Sequence, residues 1–178
     1  AVADIIKRKM IHRYGSVDSR KDIYRVEEFE REAARLAGSK FALGVSSGTA
    51  ALITALKCAG VKPGDEVITT PFTFIASIEA IVACDAVPIL GDIDETLSLD
   101  PACVEKLISP KTAAILPVHM FGCAADMDKF LEIGKKHQLP VIEDACEVVG
   151  GTYKGRWLGS MGLCGTWSFD PNKSLTVG

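Results

Sequence analysis

"GDEVITTPFTFIASIEAIVACDAVPIL", residues 64–90, places a helical stretch between two apolar runs. Lys62-Pro63-Gly64-Asp65 reads as a turn, Glu66–Thr70 as a strand, Thr73–Ala83 as a helix and Val87–Leu90 as a second strand. Two strands joined through a helix pair in parallel, because a hairpin turn cannot return the chain to the same direction. The alternation continues downstream with a helix at 101–108, a strand at 113–118, a helix at 127–137 and a strand at 141–143. Upstream, Val26, Phe29, Ala33 and Leu36 share one face of a helix, Phe41–Val45 reads as a short strand, and Ala50–Ala59 is a helix stopped by Gly60. Strands that are apolar almost throughout are covered on both faces, so the expected fold is α/β, a three-layer sandwich with a mostly parallel central sheet. After Asp144 a glycine-rich connection without a helix leads to a last strand, Gly165–Phe169. The polar stretch before Val26, with Arg13–Arg25 irregular, is expected as an N-terminal arm, residues 1–25. Residues 26–178 would then form one domain.

The bulk properties narrow the function classes. The chain has 178 residues, 48% hydrophobic and 24% charged, with a net charge of -3 and a pI near 5.6. Scattered Lys and Arg on an acidic chain argue against a nucleic-acid surface. No run approaches the ~18 apolar residues of a membrane span, and residues 1–10 hold no signal-peptide core. The sequence therefore suggests a cytoplasmic protein that binds neither nucleic acid nor membrane. The six cysteines stand singly, which fits small buried hydrophobes better than a zinc site or a disulfide framework. His12, His119 and His137 are too dispersed to suggest a metal cluster.

Ligands of an open parallel sheet sit at the carboxyl ends of its strands, and three groups fall there. Ser47-Gly48-Thr49 stands between a strand and a helix, where free N–H groups and the helix dipole can hold a phosphate. An ordinary helix cap would use the same residue types. Glu143-Asp144 closes the strand written "PVIED", and a buried acid there needs a cationic or hydrogen-bonding partner, unless it caps a helix or sits in a surface turn. Lys173, five residues after Ser168, leaves the last strand on an Asp-Pro-Asn turn. At the edge of an apolar pocket it would be a nucleophilic amine; on a solvated loop it would be an ordinary surface lysine. A phosphate cradle, a strand-end acid and an amine on one sheet edge are together what pyridoxal 5′-phosphate requires. An aromatic should cover the ring, with Phe74 placed to do so and Phe72 competing.

"SSGTAAL", "GDEVITTPFTFIAS", "PVHMFG", "VIEDACEVVGGTYKG" and "GTWSFDPNK", in that order, resemble the sugar aminotransferases of the DegT/StrS type. The resemblance covers nearly everything from Phe29 onward and implies the large domain of a fold-type I pyridoxal phosphate enzyme. By position it implies that Lys173 tethers the cofactor's aldehyde and Asp144 pairs with the pyridine nitrogen. Gly48, Thr49 and Ser168 would hold the phosphate, and Phe74 would stack on the ring. Glu147 falls where relatives carry Gln or His beside the phenolic oxygen, and a carboxylate there repels a phenolate unless it is protonated. Relatives run to roughly twice this length, with a small C-terminal domain that this chain lacks. The implied activity moves an amine, from glutamate, to a nucleotide-linked keto-sugar in a homodimer whose subunits close each other's sites. Lys173 argues against the family's dehydratases, which have histidine there. "RYG" and "SFD" resemble members acting on keto-deoxyoctulosonate-type acid sugars, the alternative substrate, and some members are proposed regulators. A phosphosugar-binding module without covalent chemistry is the rival from another class, and the missing Gly-x-Gly-x-x-Gly counts against a dinucleotide site.

Overall fold

The computed structural model describes residues 2–8 and 24–176. They fall into two compact units, residues 1–44 and 45–178. The first unit holds α1 (Val2–Arg8) and α2 (Arg25–Ala37), the latter ending at Gly38 in the left-handed conformation. Most of the stretch read as an irregular arm, 13–23, lies outside the described residues. The strand expected at 41–45 does not form. A strand exists only through a neighbour's ladder, and here the Gly44 N–H donates instead to Glu30 Oε1 at 2.6 Å.

The second unit begins with α3 (Gly48–Cys58), capped by Ser47, whose hydroxyl accepts from the Ala50 N–H. Next come β1 (Glu66–Thr69), α4 (Ala76–Val82), β2 (Val87–Leu90), α5 (Pro101–Leu107) and β3 (Thr112–Ile115). They are followed by α6 (Met127–His137) and β4 (Ile142–Asp144). α5 and α6 start on Asp100 and Asp126, whose carboxylates accept N–H groups of the first turn.

β1 lies between β2 and β3, parallel to both. Single parallel bridges, Ile115 to Val141 and Val118 to Asp144, carry the order on to β4, which pairs with β7 (Cys164–Thr166), again in parallel. β3 was expected to reach Val118 but stops at Ile115. Pro117 has no N–H to continue a ladder, although its carbonyl still accepts from the Asp144 N–H. The glycine-rich connection holds an unforeseen hairpin, β5 (Thr152–Tyr153) and β6 (Arg156–Trp157). Its turn, Lys154-Gly155, has both φ angles positive (50° and 79°), as a two-residue hairpin turn of this hand requires.

The sheet separates two cores. On one face Ile68, Ile115 and Val141 pack with Val104 of α5 and Met127 and Phe130 of α6. On the other, Val67, Leu116 and Ile142 pack with Leu52 and Leu56 of α3 and Ile81 of α4. Alternate strand residues face opposite sides, so consecutive Val67 and Ile68 are both fully buried. Helix layers on both faces of a parallel sheet make the expected three-layer α/β architecture. Among the described residues no helix is long and apolar enough to cross a membrane.

Candidate functional site

The strands end on one edge, and the chemistry-bearing residues collect there. Asp144 closes β4 and is 4% exposed. Its backbone is fixed on both sides, donating to the Pro117 carbonyl and accepting from the His119 N–H. Its carboxylate accepts the Cys146 N–H at Oδ1 (3.1 Å) and the Ser77 hydroxyl at Oδ2 (2.6 Å). Among the described residues no Lys, Arg or His forms an ion pair with it.

Cys146 joins Asp144 to the head of α3. A Cβ placed on Gly48 would lie 3.1 Å from Cys146 Sγ, 3.0 Å from Ser168 Cβ and 3.3 Å from Ser168 Oγ. The helix start and the loop after β7 therefore meet at Gly48 with no room for a side chain. Ser47 caps Ala50, and the N–H groups of Gly48 and Thr49 have no partner among the described residues. Ser47 makes the cap, and the Gly48 and Thr49 N–H groups are left over at the helix head. The Cys146 thiol is pushed up, by burial first and then by the Asp144 charge, which disfavours its thiolate.

Lys173 Nζ donates to Glu147 Oε1 at 3.2 Å and lies 5.6 Å from the centre of the Phe74 ring. Both partners of the ion pair are about four-fifths buried. Phe74 itself is exposed, whereas Phe72 stacks edge-on against Phe121 at 6.0 Å. Of the two aromatics, Phe74 is the one beside the lysine.

Glu143, adjacent to Asp144, points the other way into the structure and is fully buried. Its Oε1 accepts from Met161 N (2.6 Å) and Gly162 N (2.7 Å), and its Oε2 from Gly159 N (2.9 Å) and His119 Nε2 (3.2 Å). Burial pushes this carboxyl up, but the hydrogen bonds from His119, Gly162, Gly159 and Met161 outweigh it and hold the group below its ordinary value. Of the two strand-end acids, Glu143 fastens the 159–162 turn and Asp144 faces the site. An open groove of ≈ 470 Å³ at the opposite end of β4, lined by Leu131, Leu139, Val141 and Leu163 among others, includes none of these residues.

The sequence had not singled out Ser77, Thr73, His119 or Cys146. Ser77 left one trace, a hydroxyl among Ala76, Ala80 and Ile81 on a helix following a strand end. The free thiols also correct an expectation. Cys84 is buried and Cys103, Cys146 and Cys164 partly so, but Cys58 and Cys123 are exposed, so the cysteines are not uniformly core residues.

A parallel α/β sheet with these groups on its carboxyl edge has the architecture of the fold-type I transferases. The chain belongs to the DegT/DnrJ/EryC1/StrS aminotransferase family, whose profile matches residues 16–178. Among curated proteins it is 48% identical over 154 residues to the GDP-perosamine synthase of Caulobacter vibrioides, covering 86% of this chain and 42% of that protein. It is 41% identical over 157 residues to the L-glutamine:2-deoxy-scyllo-inosose aminotransferase of Micromonospora echinospora, covering 85% and 37%. Among solved structures, the aminotransferase from Psychrobacter cryohalolentis matches 99% of this chain and 43% of its own, with TM-score 0.92 and 38% identity. NtdA from Bacillus subtilis, with bound cofactor PMP, matches with TM-score 0.83 and 33% identity over 99% of this chain and 40% of its own. The chain thus spans well under half the length of these relatives.

Proposed function

We propose that residues 26–178 form the cofactor-binding large domain of a pyridoxal 5′-phosphate-dependent aminotransferase that places an amine, taken from glutamate, on a nucleotide-linked keto-sugar. The observation that carries this reading is Asp144, a buried carboxylate without a cationic partner among the described residues, on the same sheet edge as Lys173. A buried charge is costly until it meets a positive group, and a protonated pyridine nitrogen is such a group. The residues fit the cofactor in two further respects. The head of α3 offers an anion the Gly48 and Thr49 N–H groups, unpartnered among the described residues, with Ser168 packed against Gly48. Phe74 presents an exposed ring beside the lysine.

When bound, pyridoxal phosphate supplies an electron sink for charge developing at the carbon that bears the amine. Asp144 holds the ring nitrogen's proton in place. Gly48, Thr49 and Ser168 anchor the phosphate, and Phe74 covers the ring. Lys173 Nζ would hold the aldehyde and is the group that would move a proton at the reacting carbon. Glu147 accepts a hydrogen bond from Lys173 Nζ and so holds the amine in position. The sugar assignment draws on relatives' names such as GDP-perosamine synthase; glutamate as donor rests on the family resemblance, and the name of one relative gives L-glutamine. The reading includes a homodimer in the cytoplasm, its second subunit covering the exposed Phe74 and Phe121.

Borohydride reduction followed by peptide mass spectrometry tests this directly. The pyridoxyl mass should appear on Lys173; label elsewhere, or none, removes the mechanism. A relative named as a pleiotropic regulatory protein of Geobacillus stearothermophilus, 44% identical over 151 residues, favours a second reading as a non-catalytic regulator. That reading expects the label on Lys173 without turnover of any amino donor.

A further inference from the structure

Ser77 is 1% exposed on α4, with the buried apolar residues Ala76, Ala80 and Ile81 around it in sequence. A hydroxyl in such a place costs free energy unless it is hydrogen-bonded. Its Oγ lies 2.6 Å from Asp144 Oδ2 and 2.7 Å from Thr73 Oγ1. The direction of the chain follows from counting protons. A carboxylate only accepts and a serine has one proton, so Ser77 donates to Asp144. The Thr73 hydroxyl must then donate to Ser77. With the Cys146 N–H on Oδ1, each oxygen of Asp144 has its own donor, and rotating the carboxylate breaks both bonds. Thr73 and Ser77 also flank Phe74, so a single stretch of chain carries the aromatic beside Lys173 and the clamp on Asp144.

We propose that Ser77, oriented by Thr73, is a positioning residue that fixes the Asp144 carboxylate for the ring nitrogen of the cofactor. The proposal rests on the cofactor reading above and adds two residues that act through Asp144 without touching the ligand. A purely structural hydroxyl would support the fold alike for every ligand. A positioning hydroxyl matters only where a ring nitrogen meets Asp144, and this difference makes the proposal testable.

The test is equilibrium binding to the apoprotein, followed by absorbance. The ligands are pyridoxal phosphate and its analogue with the ring nitrogen replaced by C–H. Ser77→Ala should weaken pyridoxal phosphate about tenfold, the loss of one hydrogen bond to a charged group, and leave the analogue within about twofold. Thr73→Val, which keeps the shape and loses the donor, should weaken it about threefold, with Thr73→Ser near wild type. In an Asp144→Asn background, Ser77→Ala should add almost nothing, because its route to the ligand is gone. Equal losses for both ligands, full additivity with Asp144→Asn, or unchanged affinity would overturn the proposal. If Ser77→Ala does not fold, as judged by thermal melting of the apoprotein, Thr73→Val decides by the same criteria. Failure of the wild type to bind pyridoxal phosphate overturns the cofactor reading as well, and is thereby distinguished from failure of the Ser77 role alone.

Discussion

Replacing Glu143 with Gln keeps the side chain's size and removes one acceptor oxygen. Four donors converge on the carboxylate, two on each oxygen. Whichever way the carboxamide turns, its NH₂ faces two N–H groups that have nowhere else to donate. The turn cannot simply retreat, because Gly162 already abuts the Val141 carbonyl so closely that a built Cβ would sit 2.3 Å from it. Two hydrogen bonds to a charged group, at about 1.5–3 kcal/mol each, are lost. Allowing partial relaxation, the expected destabilisation is about 3–5 kcal/mol. Urea unfolding should register this as a midpoint lowered by about 1–3 M with the slope unchanged. A loss below about 1 kcal/mol would mean that the four donors find other partners, and the clamp would be refuted. Acid provides an independent check on the sign. The folded-state pKa of Glu143 lies below its ordinary value, so its contribution is full above the unfolded value of about 4.3 and disappears as pH falls through the folded one. The stability gap between wild type and Glu143→Gln should therefore narrow below about pH 4. A gap that stays constant down to pH 3 would contradict the ionised clamp.

Asp144→Asn should leave the unfolding free energy within about 1–2 kcal/mol of wild type while raising the barrier to turnover by about 3 kcal/mol or more; near-normal transamination would make Asp144 structural. Gly48→Ala should fold but bind pyridoxal phosphate several-fold more weakly, since the new methyl meets Ser168 and Cys146 at 3.0–3.1 Å; unchanged affinity in a binding titration would remove Gly48 from the cradle. Light scattering at micromolar concentration should give a two-fold dimer with more than ~2,000 Å² buried. A monomer with fully bound cofactor would contradict the shared site.

The alternation of strands and helices was legible because burial on both sheet faces writes itself into local sequence. β2 at 87–90 and α6 at 127–137 form where the apolar pattern placed them, and Asp144 stands at a strand end as its apolar run implied. The hairpin at 152–157 lies in the glycine-rich connection, where two-residue strands are too short to leave an apolar period, although Lys154-Gly155 carries a turn signal. What sequence could not decide were relations between residues distant along the chain. The strand expected at 41–45 had the right residues, but a strand requires a ladder partner, and its glycine N–H found Glu30 instead. Phe74 and Phe72 are equivalent in pattern; only the loop carrying Lys173 distinguishes them, by coming to lie beside one. Glu143 and Asp144 are neighbours of the same charge, yet strand pleat sends one into a closed net of donors and the other to the sheet edge. Ser77 reaches Asp144 across 67 residues and His119 reaches Glu143 across 24. Hydrogen bonds of that kind depend on ångström distances set by packing, whereas periodicity records only which side of an element is buried.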